Sequence, residues 1–260
     1  MSYREYLPPA ALRAWVECFW LARRGDAHRV MPDGCADILI ELDEAAASVV
    51  GTMTVARQIP AVRSGTLVAV RFRPGGAQPW LGGSMRPLTD QRQPLQKSWN
   101  ERAERLAEVA ISGARGDSDL QPPVVQRLAA EMMAEIGRVE APPRAIARAV
   151  ARLNCGTRVA AVADELGMSR QQLTRRFQKT VGVGPKALAR ILRLRRLLAH
   201  CAGRRPQADD AFALGYCDQA HMAREVRLLT GESLRLLFAS AREVPFFQDA
   251  ADSILSGSRA

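Results

Sequence analysis

One stretch of this chain occurs twice, and that repeat limits the fold more than any other feature. "GMSRQQLTRRFQKTVG" spans residues 167–182 and "GYCDQAHMAREVRLLTG" spans 215–231. With Ser169 set beside Asp218, Leu173 falls on Met222, Arg175 on Arg224, Phe177 on Val226 and Gly182 on Gly231, an offset of 49 throughout. Each copy has a cap, an apolar residue four positions on, an arginine two further, an apolar anchor two beyond that, and a glycine at the end. This order predicts a helix. The cap satisfies free N–H groups of the first turn, the apolar pair falls on one face, and the glycine permits a left-handed exit.

Each copy follows a shorter helical stretch, "VAAVADELG" at 159–167 and "QADDAFALG" at 207–215. Both contain A-x-x-x-G, as Ala163 with Gly167 and Ala211 with Gly215. The small residue lets a second helix pack closely across the first, and the glycine permits the sharp turn, which makes a helix-turn-helix. In such a unit the second helix enters the DNA major groove N-terminal end first. Candidate DNA-contacting residues are Ser169, Arg170, Gln171, Gln172, Thr174, Arg175 and Lys179 in the first unit. In the second they are Asp218, Gln219, His221, Arg224 and Arg227. Gln and Arg near the helix start offer paired hydrogen bonds to base edges, and cations further along reach phosphates. Arg175, six residues past its cap, is expected on a base; Arg227, nine past its own, is expected on a phosphate.

Between the units lies "GPKALARILRLRRLLAHCA", 184–202, which reads as one linker helix with the stripe Leu188, Ile191, Leu194 and Leu198. Such a helix would set the two recognition helices about 34 Å apart, in successive major-groove turns on one face of the duplex. Charge points the same way. The net charge of the chain is +10; residues 158–240 carry +8 of it, residues 1–157 carry +3, and the last twenty carry −1.

Residues from about 143 to 240 resemble the DNA-binding domain of the AraC/XylS family of bacterial transcription regulators. The resemblance is carried by "VADELGMSRQQLTRRFQKTVGVGPKALARILRLRRLL" and "ALGYCDQAHMAREVRLLTG". It implies base contacts from Arg170, Gln171, Thr174 and Arg175 in the first recognition helix, and from Gln219, Ala220, His221 and Arg224 in the second. Two departures stand out. No proline opens the last helix, "ESLRLLF", and the first helix of the second unit is acidic at Asp209 and Asp210.

Residues 1–138 read as a mixed α/β regulatory domain. "LVAVRFRP" (67–74) alternates like a half-buried strand; "ADILIEL" (36–42) and "ASVVGTMTV" (47–55) are further strand candidates, and "AWVECFWLAR" (14–23) fits a strand or a helix, with strand preferred. "GGAQPWLGG" and "SWNERAERLAEVA" suggest helices, and "SGARGDSDLQPP" (112–123) a loop. "VVQRLAAEMMAEIGR" (124–138) is an amphipathic helix; its stripe of Val125, Leu128, Met132 and Ile136 is expected to pack on the sensing domain or to form a homodimer. "MPDGCADILIEL" with "VAVRFRPGGAQPWLG" resembles a sensor region found on a subset of these regulators. That resemblance implies a regulatory domain and names no ligand; an unidentified small-molecule effector is a further expected partner. Trp15, Trp20, Cys35, Phe72 and Trp80 are candidates for its pocket, with Phe19 beside them, and core is the competing reading for the aromatics.

The fold class expected is thus an α+β domain (1–138), an all-α double helix-turn-helix domain (143–240) and a C-terminal tail (241–260). Few contacts should cross the break at "APP". Promoter DNA and RNA polymerase are the expected macromolecular partners. No run of about 18 apolar residues occurs, and the N-terminus lacks a signal-peptide pattern, so a cytoplasmic location is expected. No cofactor is expected. His28, Asp33, Cys35 and Asp37 lie close along "HRVMPDGCAD", but they lack paired Cys/His spacing, so no metal is expected. Five cysteines, none in C-x-x-C, read as free thiols. Two other classes compete with a regulator: a DNA-repair cysteine alkyl acceptor with an appended helix-turn-helix, and a nucleoid protein without sequence preference. The first needs an activated thiol with a partner, and the histidines at 28, 200 and 221 form no evident triad.

Overall fold

Successive side chains along a strand point to opposite faces of a sheet, and here both faces find cover. The computed structural model describes residues 3–23, 25–61, 65–95, 101–114, 122–202 and 204–240. The tail expected at 241–260 lies outside them, as do most of the loop at 112–123 and residues 98–100 of the expected second helix. The strands are β1 (Tyr3–Tyr6), β2 (Val16–Arg23), β3 (His28–Val30), β4 (Ala36–Glu41), β5 (Ala46–Val50), β6 (Arg57–Ile59), β7 (Thr66–Phe72) and β8 (Arg92–Pro94). Six form an antiparallel sheet in the order β1-β2-β7-β4-β5-β8, and β3 pairs with β6.

One sheet face carries Phe19, Ile38, Val68, Val70 and Phe72. They share a core with Trp80 of the short α1 (Gln78–Leu81), Leu106 and Ala110 of α2 (Glu101–Ala114), and Leu128 and Met132 of α3 (Pro122–Glu135). The other face gathers Cys18, Trp20, Ala22, Leu39 and Ala69. A register shift between Val16 and Cys18 lets β2 supply Val16 to the first core and Cys18 to the second cluster.

Three expectations change here. β7 is a central strand covered on both faces, so its alternating Arg71 is buried rather than wet. The guanidinium lies 3.2 Å from Asp37 and 3.5 Å from Asp33, with Trp20 beneath it. The strand read through 55 stops at Val50, because Thr52 and Thr54 turn their hydroxyls to Val181 O and Asp90. The 112–123 loop is shorter than its composition suggested: α2 continues to Ala114, and α3 opens at Pro122, where a missing N–H costs nothing. The stripe Val125, Leu128 and Met132 is buried inside this domain, about 1.5–3 kcal/mol for each fully buried side chain. This is the packing alternative expected of that helix, with Ile136 half-buried against the same core.

The C-terminal half is helical throughout: α4 (Arg144–Asn154), α5 (Val159–Glu165), α6 (Arg170–Thr180), α7 (Pro185–His200), α8 (Ala208–Ala213), α9 (Gln219–Thr230) and α10 (Leu234–Ser240). Two cores meet at α7. Leu188 and Leu192 join α4, α5 and α6. Ile191, Leu194, Leu197 and Leu198 join α8, α9 and α10. A helix apolar on two sides is what a strut between two units requires. The missing proline before α10 is replaced by Ser233, whose hydroxyl accepts from Leu236 N at 3.3 Å.

The two halves also touch far more than the break at "APP" suggested. Thr52 Oγ1 donates to Val181 O (2.7 Å), Thr89 Oγ1 to Gly182 O (2.8 Å) and Met85 N to Lys179 O (2.8 Å), all at the end of α6. At the end of α9, Ala56 N donates to Leu229 O (2.7 Å) and Arg29 pairs with Glu232 (2.5 Å). Gly34 packs tightly against α7. Its φ is +84°, and a Cβ there would stand 2.7 Å from Leu188 Cδ1.

Candidate nucleic-acid interface

Each recognition helix owes its exposed face to what its other face buries. On α6, Leu173 and Phe177 are fully buried and Thr180 nearly so, which leaves Arg170, Gln171, Gln172, Arg175, Arg176 and Lys179 exposed. On α9, Met222, Val226, Leu229 and Glu225 are buried, and Gln219, Ala220, Arg224, Arg227 and Leu228 are exposed. The turns before them match in chemistry. Gly167 has φ +61° and Gly215 has φ +80°; Met168 N donates to Ala163 O (3.0 Å) and Tyr216 N to Ala211 O (2.8 Å). The offset between these turns is 48, not 49, so the second turn holds one extra residue, Cys217, before its cap.

Several expected reading residues are already committed. Ser169 Oγ accepts from Gln172 N at 3.2 Å while Gln172 Oε1 accepts from Ser169 N at 2.9 Å. This is a capping box, in which the Gln172 side chain serves the helix start. Thr174 is half-buried, and its hydroxyl donates to Arg170 O at 2.8 Å. Asp218 caps α9 by accepting from His221 N at 2.5 Å. The His221 ring folds back: Nδ1 accepts from Cys217 N (3.2 Å), and the ring stands edge-on to Tyr216. An Nδ1 that accepts leaves the proton of a neutral ring on Nε2, which lies 3.8 Å from Glu225. Arg170, Gln171, Arg175 and Lys179, with Gln219, Arg224 and Arg227, remain exposed.

Two residues went unnoticed in the sequence. Arg176 is an exposed cation beside Arg175 on α6. Glu225 lies buried between Arg190 (3.2 Å) and Arg193 (3.6 Å) of α7, and it fastens the second recognition helix to the strut. Arg190, Arg193 and Arg195 of the linker are therefore engaged. The acidic start of α8 is explained too. Asp210 accepts from Arg204 twice (both 2.7 Å), from Gln207 N (2.6 Å), and lies 2.8 Å from His200. The Arg204 bonds, then the Gln207 N–H, hold its carboxyl well below the usual carboxylate range.

The expected effector residues do not converge. Trp15, Phe72 and Trp80 pack within the main core, Trp15 edge-on and Phe72 tilted to Trp80, with ring centroids 6.4 Å apart for each pair. Trp20 lies on the opposite sheet face, and Cys35 is buried near Asp33, Arg71 and Arg195. Core is what these aromatics form. Burial also pushes the Cys18, Cys35 and Cys201 thiols up, which disfavours the thiolate. Among the described residues, no group of three or more His, Cys, Asp or Glu is placed to hold a metal ion, and no helix is long and apolar enough to cross a membrane.

Residues 162–239 match the model of a family described as a helix-turn-helix domain, and residues 4–94 match a domain of unknown function, DUF6597. With two such units on one strut behind a sheet-rich domain, the class is that of a DNA-binding transcription regulator. The helix-turn-helix region is of the AraC type. No curated protein matches the chain. Among solved structures it is similar to ToxT from Vibrio cholerae O395, at 10% identity over 86% of this chain and 97% of that one, with a TM-score of 0.44. ToxT bound to (E)-4-(8-methylnaphthalen-1-yl)but-3-enoic acid is similar at 9% identity over 93% and 100%, with a TM-score of 0.45.

Proposed function

We propose that this protein reads a specific promoter sequence with two recognition helices in successive major-groove turns, acts in the cytoplasm on RNA polymerase without catalysing a reaction, and answers to a small-molecule effector. The observation that carries the reading is the matched pair α6 and α9. Each buries an apolar face and turns an exposed arginine, Arg175 or Arg224, outward at the same place in the repeat. Arg170, Gln171 and Arg175 are the base readers of the first unit, and Gln219 and Arg224 those of the second. Lys179, Arg176 and Arg227 take phosphates. The N-terminal domain bonds the ends of both recognition helices, which supports a role in setting when they engage DNA.

Site selection from a random DNA pool tests this on the wild type, Arg175→Ala and Arg227→Ala. Arg175→Ala should lose about 1–3 kcal/mol on the preferred site and relax one base position. Arg227→Ala should weaken all sequences alike and lower the salt slope by about one unit. If no motif emerges from the wild type at fixed salt, the protein is a non-specific binder. An unchanged motif from Arg175→Ala would remove that residue's base-reading role.

A further inference from the structure

A cavity of about 570 Å³ opens where the two halves meet, outside the core that holds the aromatic residues. Part of its lining is apolar: Pro74 from the N-terminal domain, Val150 and Ala151 from α4, and Leu192 from α7. Four arginines also line it. Arg13 and Arg73 come from the N-terminal domain, and Arg195 and Arg196 come from the strut α7. One acid, Glu17, faces them, and it is already taken. It lies 3.2 Å from Arg73 and 4.0 Å from Arg195. Arg195 also donates to Asp33 O, and Arg13 to Pro8 O. Arg196 is different. Its Nε is buried, and no hydrogen-bond partner reaches it among the described residues. Burial, and then the nearby Arg193, push its guanidinium down, as expected of a charge lacking a counter-ion. Such a group costs folding energy unless something binds it.

We infer that this interdomain cavity is the binding site for a small organic anion, with an oxyanion head held by Arg196 and a compact apolar body on Val150 and Leu192. The proposal rests on the effector-responsive reading above and gives that effector a place and a chemical class. The volume falls within the span of about 300–1,000 Å³ usual for small-molecule pockets. A guanidinium edge matches a planar carboxylate with two parallel N–H bonds, and it also takes a phosphate. A ligand here would touch the N-terminal domain, α4 and α7 together. Its binding energy would then depend on how the sheet domain sits against the strut that spaces the two recognition helices.

The test uses the full chain and 8-anilinonaphthalene-1-sulfonate, an apolar body with an anionic head whose fluorescence reports binding. One saturable site per chain is expected. Arg196→Met should raise its Kd at least tenfold, whereas Arg105→Met, which removes an equal charge from the exposed side of α2, should leave it unchanged. Val150→Trp should block the probe by filling the apolar part of the cavity without altering charge, so the inference does not hang on one variant. Circular dichroism checks that each is folded, and Arg196→Met is expected to be no less stable than the wild type. Benzoate and phenyl phosphate, compared as competitors, distinguish a carboxylate from a phosphate head; neutral benzamide should not compete. Unaltered probe affinity in both Arg196→Met and Val150→Trp, or competition by benzamide equal to benzoate, overturns the proposal. No DNA enters the measurement, so its failure is separate from failure of promoter reading, which site selection addresses.

Discussion

Arg176 of α6 and Glu225 of α9 stand at the same place in the repeat, 49 residues apart. In the first unit that position is an exposed cation. In the second it is a buried carboxylate clamped between Arg190 and Arg193 of the strut. The first recognition helix is held through apolar packing on Leu188 and Leu192 and keeps its polar residues outward. The second adds an ionic fastening and folds His221 inward to reach it. One repeat can thus be anchored in two ways, and the anchoring decides how many cations are left for DNA: Arg170, Arg175, Arg176 and Lys179 on α6, against Arg224 and Arg227 on α9. The first unit should therefore dominate affinity, and the second should be the more sensitive to changes in charge.

The largest expected break between the units comes from that shared position. Glu225→Ala should destabilise the chain by about 2 kcal/mol, below the 3–5 kcal/mol of a fully buried pair because Arg190 and Arg193 keep some access to water. Arg176→Ala should stay within about 0.5 kcal/mol of wild type, as exposed substitutions usually do. Urea unfolding of both variants measures the gap, and equal midpoints would show that the ionic fastening contributes nothing.

Gln172→Ala sharpens the contrast at the helix starts. It removes half of the capping box, with an expected cost of about 0.5–1 kcal/mol, while the selected DNA motif should stay the same. Loss of a base position in that motif would return Gln172 to the groove.

How much of this was legible follows from what each residue answers to. Leu173, Phe177, Met222 and Val226 answer to helical period, and Ser169 and Asp218 to local capping, so the repeat exposed both units. The capping box was legible as well, since Ser169 precedes Gln172 by three residues. The fate of the aromatics was not. Phe19 and Trp20 are neighbours that face opposite sides of a sheet, and only pairing with β7 says that both sides are covered. Glu225 answers to Arg190, 35 residues away on another helix, and Gly34 to Leu188 in another domain. Contacts of that kind leave no local pattern. The cavity at Arg196 is likewise assembled from four separate stretches of chain, none marked by composition.

Acid should loosen the second unit selectively. Asp210 has a depressed carboxyl, so its bonds stabilise the fold at neutral pH. That contribution is lost as pH falls below the ordinary aspartate value of about 3.9 and on through the depressed folded value. The first unit's counterpart pair, Arg152 with Glu165, is more exposed, and protonating it should matter less. Hydrogen exchange between pH 5 and 3, corrected for intrinsic rates, should show α8 losing protection before α5. In Asp210→Asn the acid-dependent part should vanish.

The smallest expected difference lies in how the N-terminal domain grips the two recognition helices. At α6 the bonds are neutral, from Thr52, Thr89 and Met85 N, and the Thr52 bond is fully buried. At α9 the grip pairs Ala56 N with Leu229 O and adds the half-exposed Arg29–Glu232 ion pair. Salt screens exposed charges over a length of about 10 Å at 0.1 M and less at higher concentration, and it hardly touches neutral buried bonds. An exposed pair is worth at most about 1 kcal/mol, equivalent to about a fivefold change in an opening equilibrium. Raising NaCl from low to high concentration should therefore speed exchange at the Ala56 amide by up to that factor and leave Met85 unchanged. Arg29→Met should exchange fast at Ala56 at every salt concentration, because the screened contact is already gone. If Met85 and Ala56 respond equally to salt, the two grips do not differ in kind, and the asymmetry between the units stops at the strut.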